Sequence, residues 1–223
     1  MQSLSIRLGY WSALVAVLTF VVYTVCFVVI LATGPVFLWR DFDAYLVYTQ
    51  QYHSFWPELG RLSMIVFGLS FVVVLAAVED VTAGETKFLA RLGLLFGLAA
   101  VTLTGAFYFV QISAVRLNLA QGAVTGLEQV IQGNPYSAFA ALNMMGWTVL
   151  LGLSSLFVAP AFRGGRAAAV TRWAFLVNGV SCLIGALGYI FNIFVVVLVT
   201  MNLVLGGALI TAMVGVAVWL KRR

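Results

Sequence analysis

The stretch that decides the fold is Trp173–Leu220, WAFLVNGVSCLIGALGYIFNIFVVVLVTMNLVLGGALITAMVGVAVWL. It holds 48 residues and no charged side chain. A helix crosses a bilayer in about 20 residues, so this stretch is long enough for two crossings. Gly185, Gly188 and Asn192 interrupt its apolar pattern, and we predict a turn between two helices near Phe191 and Asn192.

The whole chain has the composition of a membrane protein. Of its 223 residues, 63% are hydrophobic and 9% are charged, and the mean hydropathy is +1.09. A soluble domain has about 25% charged residues and cannot bury this much apolar surface. The other charge-free runs are Tyr10–Trp39, Leu62–Val78, Leu92–Val115 and Gln129–Phe162. The first run exceeds the apolar core of a signal peptide, about 7–15 residues, and is expected to be retained.

We therefore predict an all-α, polytopic membrane protein: a six-transmembrane-helix bundle in a single domain, residues 1–223. Its helices are expected near Tyr10–Thr33, Leu62–Val78, Phe88–Ile112, Tyr136–Ala161, Trp173–Ile190 and Ile193–Leu220.

The distribution of basic residues supports an even number of crossings. Six crossings leave only Arg40, Arg61 and Arg116 on one side of the membrane. The nine on the other side are Arg7, Lys87, Arg91, Arg163, Arg166, Arg172, Lys221, Arg222 and Arg223. Because cytoplasmic loops carry an excess of Lys and Arg, both termini are predicted to be cytoplasmic. Five crossings would put the last three basic residues outside and weaken this asymmetry.

One long outer segment is rich in aromatic residues. Phe37–Trp56 reads FLWRDFDAYLVYTQQYHSFW, with aromatic side chains spaced three and four residues apart. This pattern predicts an amphipathic helix that lies in the outer membrane interface and is ended by Pro57. His53 is the one histidine of the chain. We interpret it as an interfacial residue.

The second long outer segment is Ser113–Pro135. Asn134 and Pro135 are predicted to be the N-cap and the first residue of the fourth transmembrane helix. Arg116 and Glu128 are predicted to form an ion pair that closes this flap. Since these outer segments hold most of the connecting chain, we expect function to lie on the outer side.

Several chemistries do not fit the residues present. Both lysines lie at helix ends, whereas retinal needs one in mid-helix, and a b-type haem needs two histidines. A metal site would need ligands converging from Asp41, Asp43, His53, Glu58 and Glu128, which show no recognised ligand spacing. No ionisable residue lies well inside a predicted helix, so ion pumping is not expected. We predict no cofactor and no nucleic-acid partner, because the basic residues flank apolar segments.

Uncharged polar residues do occur within the predicted helices. Such groups either bond between helices or line a lipid or small-molecule pocket. The candidates are Tyr108, Gln111, Asn143, Asn178 and Asn202. Candidates in the outer segments are Asp41, Asp43, His53, Arg116 and Glu128. Small residues four apart also occur, as in Gly93 and Gly97 or Gly207 and Thr211, and these allow close helix packing.

The middle third of the chain carries a resemblance to a known group. The residues are Gln111, Val115-Arg116, Gly126-Leu127, Asn134-Pro135 and Gly146, followed by Ala159-Pro160-Ala161-Phe162. This run resembles a group of small six-helix bacterial membrane proteins that has no assigned biochemical function. The resemblance implies a six-helix architecture and a bacterial inner membrane, and it implies no catalytic residue.

Three functions remain open from the sequence. The first is a non-enzymatic accessory or scaffold subunit of a membrane assembly, whose partners are copies of itself or other membrane subunits. The second is a binder or carrier of lipid or another apolar molecule. The third is an enzyme acting on a lipid head group through His53 with Asp41 or Asp43.

Overall fold

The protein forms a bundle of helices in a computed structural model that describes residues 3–52 and 54–223. Within these residues there are seven helices and no strands. Six of the helices are long and apolar enough to cross a membrane. The helices are α1 (Leu4–Thr33), α2 (Phe42–Gln51), α3 (Trp56–Val81), α4 (Glu85–Ala120), α5 (Ala138–Ala161), α6 (Gly165–Ile190) and α7 (Phe194–Lys221).

The six long helices pack in a closed ring. Each one contacts the next along the chain, and α7 returns to contact α1. The centre is filled by aromatic side chains, with Phe67 against Phe20, Phe71 and Trp147. Six alternating passes bring nine basic residues to one end of the bundle, which we call the basic end.

The helices extend beyond the apolar runs that predict them. Helix α6 begins at Gly165, so Arg166 and Arg172 lie inside the helix rather than before it. Hydropathy marks only the part of a helix that contacts hydrocarbon, while the helix itself continues into the headgroup region. The predicted turn near Phe191 and Asn192 is confirmed, and Asn192 has a positive φ of 54°.

The prediction for Pro57 was wrong. The amphipathic helix α2 ends at Gln51, and Pro57 lies in the first turn of α3. Proline fits that position because the first turn of a helix has no partner for its N–H groups.

The prediction for Asn134 and Pro135 was also wrong, since α5 begins at Ala138 and is capped by Ser137. The Ser137 hydroxyl accepts a hydrogen bond from the Ala140 N–H at 3.0 Å. Asn134 instead bonds locally, accepting from the Tyr136 N–H at 3.0 Å and donating to the Glu128 carbonyl at 3.0 Å. Short polar side chains often form such local turns in place of a helix cap.

The two segments opposite the basic end fold together into a cap, which comprises residues 35–52 and 121–137. Tyr45, Leu127 and Ile131 of the cap form a second hydrophobic core with Val115 of α4. Helix α2 therefore packs its aromatic face against the other cap segment.

Candidate functional sites: the cap and a membrane-facing groove

Gln111 of α4 fastens the cap to the bundle. Its side chain is 1% exposed; its Nε2 donates to the Val130 carbonyl at 2.6 Å, and its Oε1 accepts from the Gln132 N–H at 2.9 Å. It is the first residue of a π-helical segment, Gln111–Val115. Single π-turns of this kind occur often at functional sites. Here both ends of the amide are satisfied by cap backbone.

Arg61 of α3 provides a second tie to the cap. Its Nε donates to the Gln132 Oε1 at 2.9 Å, and its guanidinium lies 3.6 Å from the Glu58 Oε1. Glu58 Oε2 is buried and has no hydrogen-bond partner among the described residues.

Tyr45 is the buried residue of α2, with 8% of its surface exposed. Burial raises the pKa of its phenol, Arg61 opposes that shift, and Glu58 and Tyr48 add to it. The ring occupies the space beside Gly133, where any side chain would overlap it. The pKa of Tyr48 is also raised, mainly by burial and to a smaller extent by the neighbouring Tyr52. The Tyr48 hydroxyl donates a hydrogen bond to the Pro35 carbonyl at 3.1 Å.

The other described candidates that the sequence placed in the outer segments do not come together in one site. Asp41 is the N-cap of α2, where its Oδ1 accepts from the Ala44 N–H at 2.8 Å, and Asp43 is exposed in the first turn. The predicted Arg116–Glu128 ion pair was wrong: Arg116 donates to the Ile112 carbonyl of its own helix at 3.0 Å, and Glu128 is exposed. An exposed ion pair gains too little to order two long side chains.

His53 lies outside the described residues, so the predictions that involve it stay predictions. Among residues 3–52 and 54–223, no three of His, Cys, Asp or Glu lie close enough together to hold a metal ion.

Three of the predicted mid-helix residues lie within the bundle. The Tyr108 hydroxyl accepts from Trp147 Nε1 of α5 at 3.2 Å. Asn178 of α6 is fully buried and its Nδ2 donates to the Ser155 hydroxyl of α5 at 2.8 Å. The Oδ1 atoms of Asn143 and Asn178 are buried and lack a partner among the described residues. Two of these three residues therefore bond between helices.

Asn202 does not join helices. It is exposed, and its Nδ2 donates to the Leu198 carbonyl of its own helix at 3.2 Å.

A different region of the surface is open. Two adjoining cavities of about 450 and 410 Å³ form one groove between α6 and α7, on the face turned away from the bundle axis. Trp173, Val177 and Val204 line both cavities. One end of the groove is bounded by Arg166, and the other lies near Ile184.

Small residues on both helices leave this space. Ala169 and Ala174 of α6 face Gly207 and Ala208 of α7 across the groove. A Cβ atom placed on Gly207 would meet no described heavy atom within 4 Å. Helix α7 also contains a π-helical segment, Val199–Val204, where it lines the groove.

The groove wall is apolar apart from one end. The hydroxyls of Ser181, Thr200 and Thr211 each donate to a backbone carbonyl, at 3.2, 2.7 and 2.7 Å, and so are satisfied internally. Arg166 is exposed and forms no hydrogen bond or ion pair with a described residue. The arrangement suits an elongated apolar molecule.

None of the described candidate residues named from the sequence lines this groove. Of the other residues noted in the sequence, the basic Arg166 and the small-residue pair Gly207 and Thr211 do line it. Their spacing was the available signal, but the same spacing at Gly93 and Gly97 serves internal packing. At Gly93 a side chain would meet Ser154 and Val158 of α5 at 3.0 Å. Spacing alone could not distinguish a glycine that packs from one that is left open.

Comparisons of this chain with models of protein families, with curated proteins and with solved structures find no match. The resemblance to small six-helix bacterial membrane proteins therefore stays a prediction, and the geometry above is what bears on function.

Proposed function

We propose that this chain is a non-enzymatic integral membrane protein that binds an apolar molecule of the bilayer in the α6–α7 groove. The observation that carries the proposal is the open space beside Gly207 in a wall whose hydroxyls are already bonded. A groove in a transmembrane surface is filled by whatever the bilayer supplies, because an empty space forfeits its van der Waals contacts.

We further propose a bacterial cytoplasmic membrane, with both termini in the cytoplasm. Nine basic and three acidic residues lie at the basic end, whereas the cap end has three basic and four acidic residues. The excess of Lys and Arg at one end supports this orientation by the positive-inside rule.

The proposed binding can be tested by filling the groove. Gly207→Leu introduces a side chain at a position where an added Cβ meets no described heavy atom within 4 Å. Gly105→Leu is the matched control, because Gly105 lies in α4, away from the groove, and an added Cβ there also meets no described atom within 4 Å. Native mass spectrometry of protein extracted in mild detergent should show bound lipid in the parent and in Gly105→Leu, and less of it in Gly207→Leu. Equal retention in all three proteins would contradict the proposal.

A second candidate function is an accessory subunit that pairs with another helix, either from a second copy or from a different membrane protein. Gly207 and Thr211 are exposed and one turn apart, and exposed small residues let two helix backbones approach closely. For this function, Gly207→Leu should reduce the oligomeric mass in mild detergent while Gly105→Leu leaves it unchanged. A monomeric parent that retains lipid would exclude this function in favour of lipid binding.

A further inference from the structure

We propose that the groove selects an anionic phospholipid, with its phosphate beside Arg166 and one acyl chain along the apolar wall. This inference rests on the proposed lipid-binding function and adds the chemical class of the ligand. The groove has one cationic end and one apolar length, and an amphiphile with a negative head has the complementary arrangement.

The cavity at the basic end, whose α6 lining runs from Arg166 to Val177, has a length that fits a lipid of the leaflet at that end. Arg166 and Val177 both line the groove on α6, and at 1.5 Å per residue they are separated by roughly 16 Å along the helix. Half of the hydrocarbon core of a bilayer is about 15 Å thick. A head group at Arg166 therefore places its acyl chain alongside Trp173 and Val177, reaching the bilayer midplane.

The charge of Arg166 is available to a ligand. Three other arginines at the basic end have side-chain partners: Arg163 donates to the Pro160 carbonyl, Arg91 pairs with Glu79, and Arg223 stacks on Trp219 at 4.0 Å. Arg166 has no such partner among the described residues, and it lies at the end of the bundle with the excess of basic residues. It can approach a phosphate without giving up another interaction.

The apolar wall alone would not choose between lipids. A groove lined by Val, Ala and Trp is no more apolar than the lipid chains around it, so it gives no preference by the hydrophobic effect. Selection has to come from the head group. We expect an anionic lipid to be enriched in the groove about fivefold over a zwitterionic one, the equivalent of about 1 kcal/mol for one cation near a membrane surface.

Trp173 supplies a direct readout, because it lines both cavities and is exposed. The protein would be placed in phosphatidylcholine vesicles in which a fixed minor fraction is a brominated lipid, either phosphatidylglycerol or phosphatidylcholine. Bromine quenches tryptophan fluorescence on contact, and subtracting the signal of Trp173→Phe isolates the Trp173 component. Brominated phosphatidylglycerol should quench that component more strongly than brominated phosphatidylcholine.

Two substitutions on α6 test the role of the charge. Arg166→Gln should make the two brominated lipids quench equally. Arg172→Gln is the matched control, because Arg172 is exposed on the same helix but does not line the groove, and it should keep the preference. A preference that survives Arg166→Gln would overturn the inference.

The failure of this inference can be told apart from failure of the proposed function. In one outcome, both brominated lipids quench the parent equally and Gly207→Leu reduces the quenching by both. The groove would then bind lipid without selecting the head group, and only the inference would be overturned. Quenching that does not respond to Gly207→Leu for either lipid would overturn both.

Discussion

The cap and the α6–α7 groove differ in how far their polar groups find hydrogen-bond partners and their spaces are filled within the chain. In the cap, Gln111 bonds to two backbone groups, and Tyr45 fills the space that Gly133 leaves. In the groove, Gly207 leaves a space that no described residue fills, and Arg166 has no partner among the described residues. The cap is closed by the chain itself, whereas the groove is left open by the described residues.

This difference shows why polar and aromatic residues did not lead to the groove. Most of the aromatic segment Phe37–Trp56, which has the most varied side chains of the chain, lies in the cap. Its described residues pack mainly against the second cap segment. The groove is lined mainly by Val and Ala, and of its small residues only Gly207 was noted in the sequence, for its spacing from Thr211. The predictions below test the contrast, beginning with the largest expected effect.

Gln111→Leu should destabilise the protein most. It leaves the Val130 carbonyl and the Gln132 N–H, both in part-buried hydrogen bonds, without their partner. At about 1–3 kcal/mol for each unsatisfied group, the loss is about 2–6 kcal/mol for the two. Unfolding in detergent micelles measures the loss, and hydrogen exchange at Val130–Gln132 should become faster. Gln121→Leu makes the same change at an exposed position and should have little effect. A Gln111→Leu protein of unchanged stability, with slow hydrogen exchange in the cap, would mean that the two hydrogen bonds of Gln111 are not needed to hold the cap.

Gly133→Leu should destabilise the cap by about 1–3 kcal/mol through overpacking against Tyr45. Gly207→Leu places the same side chain in the groove and should not lower the free energy of unfolding. It should raise it by up to about 1 kcal/mol, because leucine has a higher helix propensity than glycine. Thermal unfolding of the two variants side by side measures the difference. Equal losses would show that the groove is as tightly packed as the cap.

The cap should loosen at alkaline pH. The pKa of Tyr45 is raised above its ordinary value of 10.0 because burial disfavours the phenolate. The neutral phenol is thus the form that the folded cap accommodates, so its stabilisation is fully present below pH 10.0 and is lost as the pH rises through the folded-state pKa. Hydrogen exchange of the cap against pH measures this. In Tyr45→Phe, which cannot ionise, the change should be smaller; an identical pH dependence would assign the loosening to other groups.

Glu128→Gln should have the smallest effect. Since Arg116 bonds to its own helix and Glu128 is exposed, the free energy of unfolding should change by less than about 0.5 kcal/mol. Chemical denaturation in detergent would check this. A loss of more than about 1 kcal/mol would indicate that the two charges do pair in the membrane-embedded protein.

The sequence predicted the six long helices and the short amphipathic one because their apolar runs and aromatic spacing are properties of each segment alone. It was less accurate at their ends. Pro57 and Asn134-Pro135 were assigned from local rules, but a proline can follow one helix or begin the next, and an asparagine can cap a helix or form a turn. Which of these happens depends on where the neighbouring segments lie.

By itself, the sequence determined that the chain is apolar enough to cross a membrane six times, and that its basic residues collect at one end. Only the tertiary structure decided that Gln111 faces the cap, that Gly93 is packed, and that Gly207 is open. The reason is physical. Burial in hydrocarbon depends on the composition of each segment, whereas an open space depends on how closely two separate helices pack. The groove exists only where α6 and α7 lie side by side, so the sequence of either helix alone does not predict it.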